Sequence, residues 1–294
     1  MSDKVRQKLY ELEKSGAVIC CPDQSLRSAL SGAGIVPDMS YEGPEELNYK
    51  HRSTEDGIEI YWLENPSDNV INKRLSFRIT GKVPYIWHPE NASVEKVGYH
   101  ERDGRTYIDL NFVSDDAYFV VFSDVVDTDA SVADDTKTSI SINGPWSLDF
   151  QDGRGAPETG VKLKELKSLT DCSNPGVKYF SGTVSYYTEF KVKDVRDVVE
   201  LDLGEVKNIA EVVLNGINLG VVWKAPFTVR VEDVIRKGKN TLEIRVTNTW
   251  PNRLIGDAQL GNEPPITYTT FKFYKAEDSL LPSGLLGPVT LRKK

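Results

Sequence analysis

Sulfur is nearly absent from this sequence: three cysteines and two methionines in 294 residues. Cys20 and Cys21 are adjacent and Cys172 is far away, so the spacing makes neither a disulfide framework nor a zinc site. Histidine is as scarce, and His51, His88 and His100 have no metal-ligand spacing. No metal and no cofactor are expected. Long apolar runs are missing too. The longest, Ala117 to Phe122, is six residues, against the ~18 that a membrane span needs. Positive charge is in deficit. Thirty-six Lys and Arg against 44 Asp and Glu leave a net charge of −8, without the basic stripe that a phosphate backbone demands. Neither a membrane nor nucleic acid is an expected partner. The start, Met1-Ser-Asp-Lys-Val-Arg-Gln-Lys, lacks the apolar stretch of a secretory signal.

What is present is enough for real cores: 39% hydrophobic and 27% charged residues, in a length that suits two domains. Val5, Leu9 and Leu12 recur at helical spacing before Gly16, a short apolar run covers Ala17 to Cys21, and a second helix is expected from Asp23 to Ser31. Residues 1–38 therefore look like an α/β stump of a preceding domain. From Tyr49 the period becomes two. Strands are expected at Ile58–Leu63, Leu75–Ile79, Thr106–Phe112 and Ala117–Phe122, making residues 39–125 a β-sandwich. Asp124 to Thr138 holds five aspartates and one lysine, so residues 126–142 are expected to be a solvated acidic linker. A calcium loop is the competing reading, but the glycine and terminal glutamate of an EF-hand are missing.

Residues 143–294 alternate again. Strands are expected at Trp146–Phe150, Thr183–Val192, Val198–Leu203, Ile209–Leu214, Leu219–Val222, Phe227–Val231, Leu242–Val246, Thr267–Phe273 and Val289–Leu291. That many short strands fits a jelly roll. Asn215-Gly216 predicts a two-residue hairpin, because a type I′ turn needs positive φ at both central positions. The expected fold class is thus mainly β: a sandwich, then a jelly roll, after a short α/β stump.

No catalytic constellation stands out. There is no Gly-x-Ser-x-Gly elbow and no phosphate-cradling glycine loop, and a glycosidic carboxylate pair is defined in space rather than in sequence. The chemistry that does show is aromatics beside planar polar groups. Trp250, Asn252 and Arg253 lie in one run, where Pro251 is expected to fix the backbone after a strand and aim all three from one strand end, with Trp223 and Tyr268 as possible walls. Aromatic faces stack on sugar C–H patches while amides and guanidiniums read hydroxyls. The competing reading places these aromatics in the core and pairs Arg253 with Asp257.

Four segments together carry a resemblance: Lys178–Phe190, Leu201–Gly216, Leu219–Phe227 and Gly238–Asn248. They resemble the galactose-binding-like jelly roll of family-2-type glycoside hydrolases. Trp250-Pro-Asn-Arg-Leu-Ile-Gly-Asp257 and Leu280-Leu-Pro-Ser-Gly-Leu-Leu-Gly-Pro-Val289 resemble the C-terminal end of bacterial family-106 glycoside hydrolases, the α-L-rhamnosidase group. Val36-Pro-Asp38, Tyr49-Lys-His-Arg52 and Ile60–Asn65 resemble the stretch between that family's barrel and its jelly roll. The resemblance implies a (β/α) barrel with catalytic carboxylates and bound calcium upstream. No position here matches it, so no catalytic residue is carried over. It also implies export, to the periplasm or beyond, for the longer enzyme. The expected function is a non-catalytic accessory portion of a glycoside hydrolase acting on plant-type polysaccharide. Its partners would be carbohydrate and an upstream catalytic domain. Two alternatives stand beside it: an active hydrolase with a site between the β domains, and a structural module without ligand.

Overall fold

The computed structural model describes residues 2–18, 25–90, 92–124, 131–132, 138–158, 160–260 and 265–293. Two compact units emerge: residues 1–64, 70–112 and 117–131, and residues 65–69, 113–116 and 132–294. Both are built on antiparallel sheets, so the chain is mainly β.

The first unit opens with α1 (Asp3–Lys14), which buries none of its residues, and α2 (Leu26–Gly32). Ser25 caps α2 by accepting the amide of Ser28 at 3.2 Å. Most of the strand expected at Ala17–Cys21, like the first two residues of the expected second helix, lies outside the described residues, as does most of the acidic linker. The strands are β1 (Met39–Tyr41), β2 (Asn48–Ser53), β3 (Glu59–Glu64), β4 (Ile71–Phe77), β5 (Val83–His88), β6 (Ser93–Lys96), β7 (Tyr99–Arg102), β8 (Arg105–Phe112), β9 (Ala117–Ser123) and β10 (Ser131–Val132). They form two sheets, β1-β4-β8-β7 and β10-β6-β5-β9-β3-β2. Alternation turns Leu75, Phe77, Ile108 and Phe112 of one sheet toward Tyr61, Leu63, Val120 and Phe122 of the other, a sandwich core. Tyr61, Phe77 and Phe122 meet edge to face, with centroids 4.8–6.0 Å apart. β4 starts four residues earlier than apolar alternation predicts. The reason is Lys73, which sits on the inward side with its Nζ bonded to Glu42 O at 3.1 Å and Glu45 Oε2 at 2.6 Å. A lysine whose charge finds acceptors at the sheet margin can occupy a strand's buried row.

The second unit contains β11 (Thr138–Ser141), β12 (Trp146–Phe150), β13 (Val161–Leu163), β14 (Thr183–Val192), β15 (Val198–Asp202), β16 (Glu205–Lys207), β17 (Ile209–Leu214), β18 (Ile217–Val222), β19 (Thr228–Arg230), β20 (Gly238–Thr247), β21 (Gly284–Gly287) and β22 (Thr290–Lys293). Helices α3 (Pro175–Lys178) and α4 (Pro251–Leu260) interrupt them. A six-stranded sheet, β13-β12-β14-β20-β17-β18, faces a four-stranded one, β11-β22-β15-β19, and β16 and β21 pair as a ribbon. The core holds Trp146, Leu148, Val184, Tyr186, Val212, Ile244 and Val246 from the first, with Leu201 and Leu291 from the second. Tyr186 is buried, which pushes its hydroxyl pKa up, and its oxygen accepts the Leu285 amide at 3.1 Å.

Asn215-Gly216 is the expected tight turn, with φ of 54° and 81° and Leu214 paired to Ile217. Asn215 does more than bend the chain. Its Nδ2 donates to Val234 O and Asn240 Oδ1 at 2.9 and 2.8 Å, and its Oδ1 accepts the Thr241 amide at 3.1 Å. Two expectations fail. Residues 267–273 form no strand but an irregular loop, in which Thr269 Oγ1 accepts the Phe271 amide. The residues after Trp250 do not extend from a strand end; they wind into α4, because Pro251 occupies the first helical position, where its missing N–H costs nothing.

Candidate functional site

The candidate residues gather around α4. Trp250 closes the first turn: its carbonyl accepts the amides of Arg253 and Leu254, both at 3.1 Å. Its indole is 45% exposed, and the Arg154 guanidinium lies 4.7 Å over the ring. The two polar residues that follow turn inward instead. Asn252 is buried, and its side-chain amide brackets Leu281, donating to its carbonyl at 2.7 Å and accepting from its amide at 2.8 Å.

Arg253 is 1% exposed. Its Nη2 lies 2.8 Å from Asp257 Oδ1, one helical turn on. The distance is that of an ion pair, but the angle is not that of a hydrogen bond, and Nε has no acceptor among the described residues. The contact is therefore charge neutralisation with weak directionality. Tyr179 lies beneath, its ring 5.8 Å from the guanidinium carbon. A Cβ at Gly256 would come within 2.5 Å of that ring, so glycine is what lets the helix settle on it.

The other side of α4 holds the loop that follows it. Asp257 Oδ2 accepts from the amide and the hydroxyl of Thr267 at 2.9 and 2.7 Å. Gln259 donates to Ala276 O at 2.6 Å and accepts the Tyr179 hydroxyl at 2.7 Å. With Asn252 on Leu281, the helix grips the loop at three places. Tyr268, beside the first of them, is 88% exposed, and Phe271 and Phe273 are also exposed.

Trp223 directly follows β18 and is 55% exposed. Val222 pairs with Ala210, which pairs with Val246, so β18 and β20 finish at the same end of the sheet with one strand between them. Two strand spacings are about 10 Å. The ladder thus brings Trp223 and the Trp250 segment to one sheet end. Of the five candidates, Trp250 and Trp223 present rings to solvent there and Tyr268 presents its ring on the loop held by α4, while Asn252 and Arg253 are engaged by the fold.

In the first unit, His51 lies between Asp38 and Glu59, 2.9 and 2.7 Å from their oxygens, and stacks on Tyr61 at 4.0 Å. No group among the described residues has three side chains placed to hold a metal ion. Neither His51 nor the grip of α4 on its loop is visible in sequence, because each joins residues that only the fold makes neighbours. The one signal for the helix was the i, i+4 spacing of Arg253 and Asp257.

Comparison with known proteins extends this picture. Residues 1–101 match the family model of glycosyl hydrolase family 106, alpha-L-rhamnosidase, and residues 177–278 match the glycosyl hydrolase 2 galactose-binding domain-like model. The structure of a rhamnosidase from Novosphingobium sp. PP1Y superposes with a TM-score of 0.80 at 38% identity, over 92% of this chain and 26% of that one. A protein named "Putative beta-glucuronidase" from Formosa agariphila is 41% identical over 179 residues, which are 52% of this chain and 15% of that protein. The chain thus spans about a quarter or less of the length of these relatives.

Proposed function

We propose that this chain, a relative of the family-106 (α-L-rhamnosidase) glycoside hydrolases that carries a family-2-type galactose-binding-like jelly roll, is the non-catalytic accessory portion of such an enzyme, acting on plant-type polysaccharide. Its jelly roll contacts carbohydrate at the sheet end where Trp250 and Trp223 present their rings, with Tyr268 on the loop held by α4. One observation carries this reading: the half-exposed indole of Trp250, capped by Arg154 and set on a helix whose polar residues are all engaged in holding it and its loop. A ring kept rigid and wet is what stacking on a sugar requires. Asn252 and Arg253 position that ring rather than touch ligand. A shallow site of this kind gives weak affinity, on the order of 0.1–1 mM.

A second reading is favoured by Phe271 and Phe273, exposed rings with no hydroxyl on the same gripped loop. Such a surface suits a protein partner, and bracing of a catalytic domain is the role it would serve.

Purified chain assayed on aryl α-L-rhamnoside, β-galactoside and β-glucuronide is expected to show no turnover. Turnover that survives repurification, and that a single substitution in this chain abolishes, overturns the non-catalytic assignment. Titration with rhamnose, galactose and a pectic oligosaccharide is expected to give saturable chemical shifts that vanish in a still-folded Trp250→Ala variant.

A further inference from the structure

The outer face of the six-stranded sheet of the second unit has a chemistry that the sheet end does not share. Along β14 and β20 the even-numbered residues are buried, so Tyr187, Glu189, Thr241, Glu243 and Arg245 face outward. The ladder aligns them across strands. Ser147, Tyr187, Glu243, Val213 and Asn218 make one row; Asp149, Ser185, Arg245 and Glu211 make the next.

The polar groups of these rows are held in place. Arg245 reaches Glu243 Oε1 with Nε at 2.6 Å and Glu211 Oε2 with Nη1 at 3.0 Å. Asn218 donates to Glu211 at 2.5 Å, and the Tyr187 hydroxyl donates to Glu243 at 3.1 Å. Beside them lies an open depression of about 620 Å³, lined among others by Ser147, Tyr187, Glu189, Val213, Thr241 and Glu243. The ring of Tyr187 is 40% exposed. The lining holds two carboxylates and no lysine or arginine. Arg245 is paired with Glu243 and Glu211, and Lys239 with Glu189 at 2.7 Å, while Lys162 extends the row beyond Ser147 and Lys191 stands opposite Lys239 in the ladder.

We infer that this face is a second saccharide platform. The Tyr187 ring supplies the stacking surface. Glu243, Glu189, Thr241 and Ser147 meet hydroxyls, whose protons the carboxylates accept. The depression is of a size that suits a small ligand. The inference rests on the carbohydrate reading above and adds to it a second place.

The intact chain, labelled with ¹⁵N, is titrated with L-rhamnose, D-galactose and D-glucuronate while amide shifts are followed. Neutral sugars are expected to move the amides of Ser147, Tyr187, Val213 and Thr241. Tyr187→Ala should weaken that response by about tenfold or more at unchanged melting temperature, and Tyr187→Phe by no more than about threefold. Should Tyr187→Ala unfold the unit, Val213→Lys, which fills the depression, is expected to remove the same shifts. Shifts confined to the Trp250 and Tyr268 segments overturn the platform and leave the carbohydrate reading standing. Silence with all three sugars overturns both.

Discussion

Arg253 is a charged residue enclosed by the fold, and its energetics differ from those of a ligand-binding arginine. Its guanidinium is neutralised by Asp257 and covered by Tyr179. Removing one partner of a buried pair leaves the other charge unpaired in low dielectric. Arg253→Ala is therefore expected to lower unfolding free energy by about 3–5 kcal/mol in urea denaturation. Trp250→Ala, which truncates a half-exposed ring, should cost about 1 kcal/mol. An Arg253→Ala protein of normal stability that had lost sugar binding would return this arginine to the ligand site. In sequence, Arg253 carried both meanings at once. An arginine two residues after a proline fits a binding edge as well as a helix, and only the helix makes Asp257 its neighbour.

At the level of elements, legibility followed the locality of the physics. The Asn215-Gly216 hairpin is a two-residue device with its own backbone requirement, and it is where the sequence places it. Gly216→Val should lower stability by about 1 kcal/mol or more, read as a fall in melting temperature, because a β-branched residue is strained at φ of 81°. The strands with clean alternation were equally legible. Residues 267–273 were not. Phe271 and Phe273 alternate as a strand's would, yet the rings face solvent and the backbone is held by α4 at Thr267, through Asp257. A segment held from outside carries little of its own conformation in its sequence. The outer-face network of Tyr187, Glu243, Arg245 and Glu211 escaped notice for the opposite reason: polar residues on every second position look like an ordinary wet face until the ladder sets their rows together.

For the molecule as a whole, pH offers a test confined to one unit. His88 lies 3.1 Å from Glu95 and 3.8 Å from Glu90. The two carboxylates, Glu90 foremost and then Glu95, raise its pKa to about 9, against the opposing effect of burial. In the unfolded chain a histidine titrates near 6.5, so the folded form binds the proton more tightly. The resulting stabilisation is complete below about pH 6.5 and is lost as pH rises through about 9. The full shift corresponds to about 3 kcal/mol, and solvent screening of this partly exposed group reduces it, so denaturation of wild type should show a loss of about 2 kcal/mol between those limits that His88→Gln does not show. In the other unit, β14 and β20 are paired rung by rung from Thr183–Thr247 to Val192–Gly238, ten in all. Parity along that ladder decides inside from outside. Exchanging one outward residue for another leaves the register of every rung intact, but deleting a single residue from β14 ahead of Tyr186 would drive Tyr187 into the core and Tyr186 out of it. Over evolutionary time this surface can change its chemistry freely by replacement, while its length is locked. New specificities on it would arise by point change, and variation in chain length would collect in the turns.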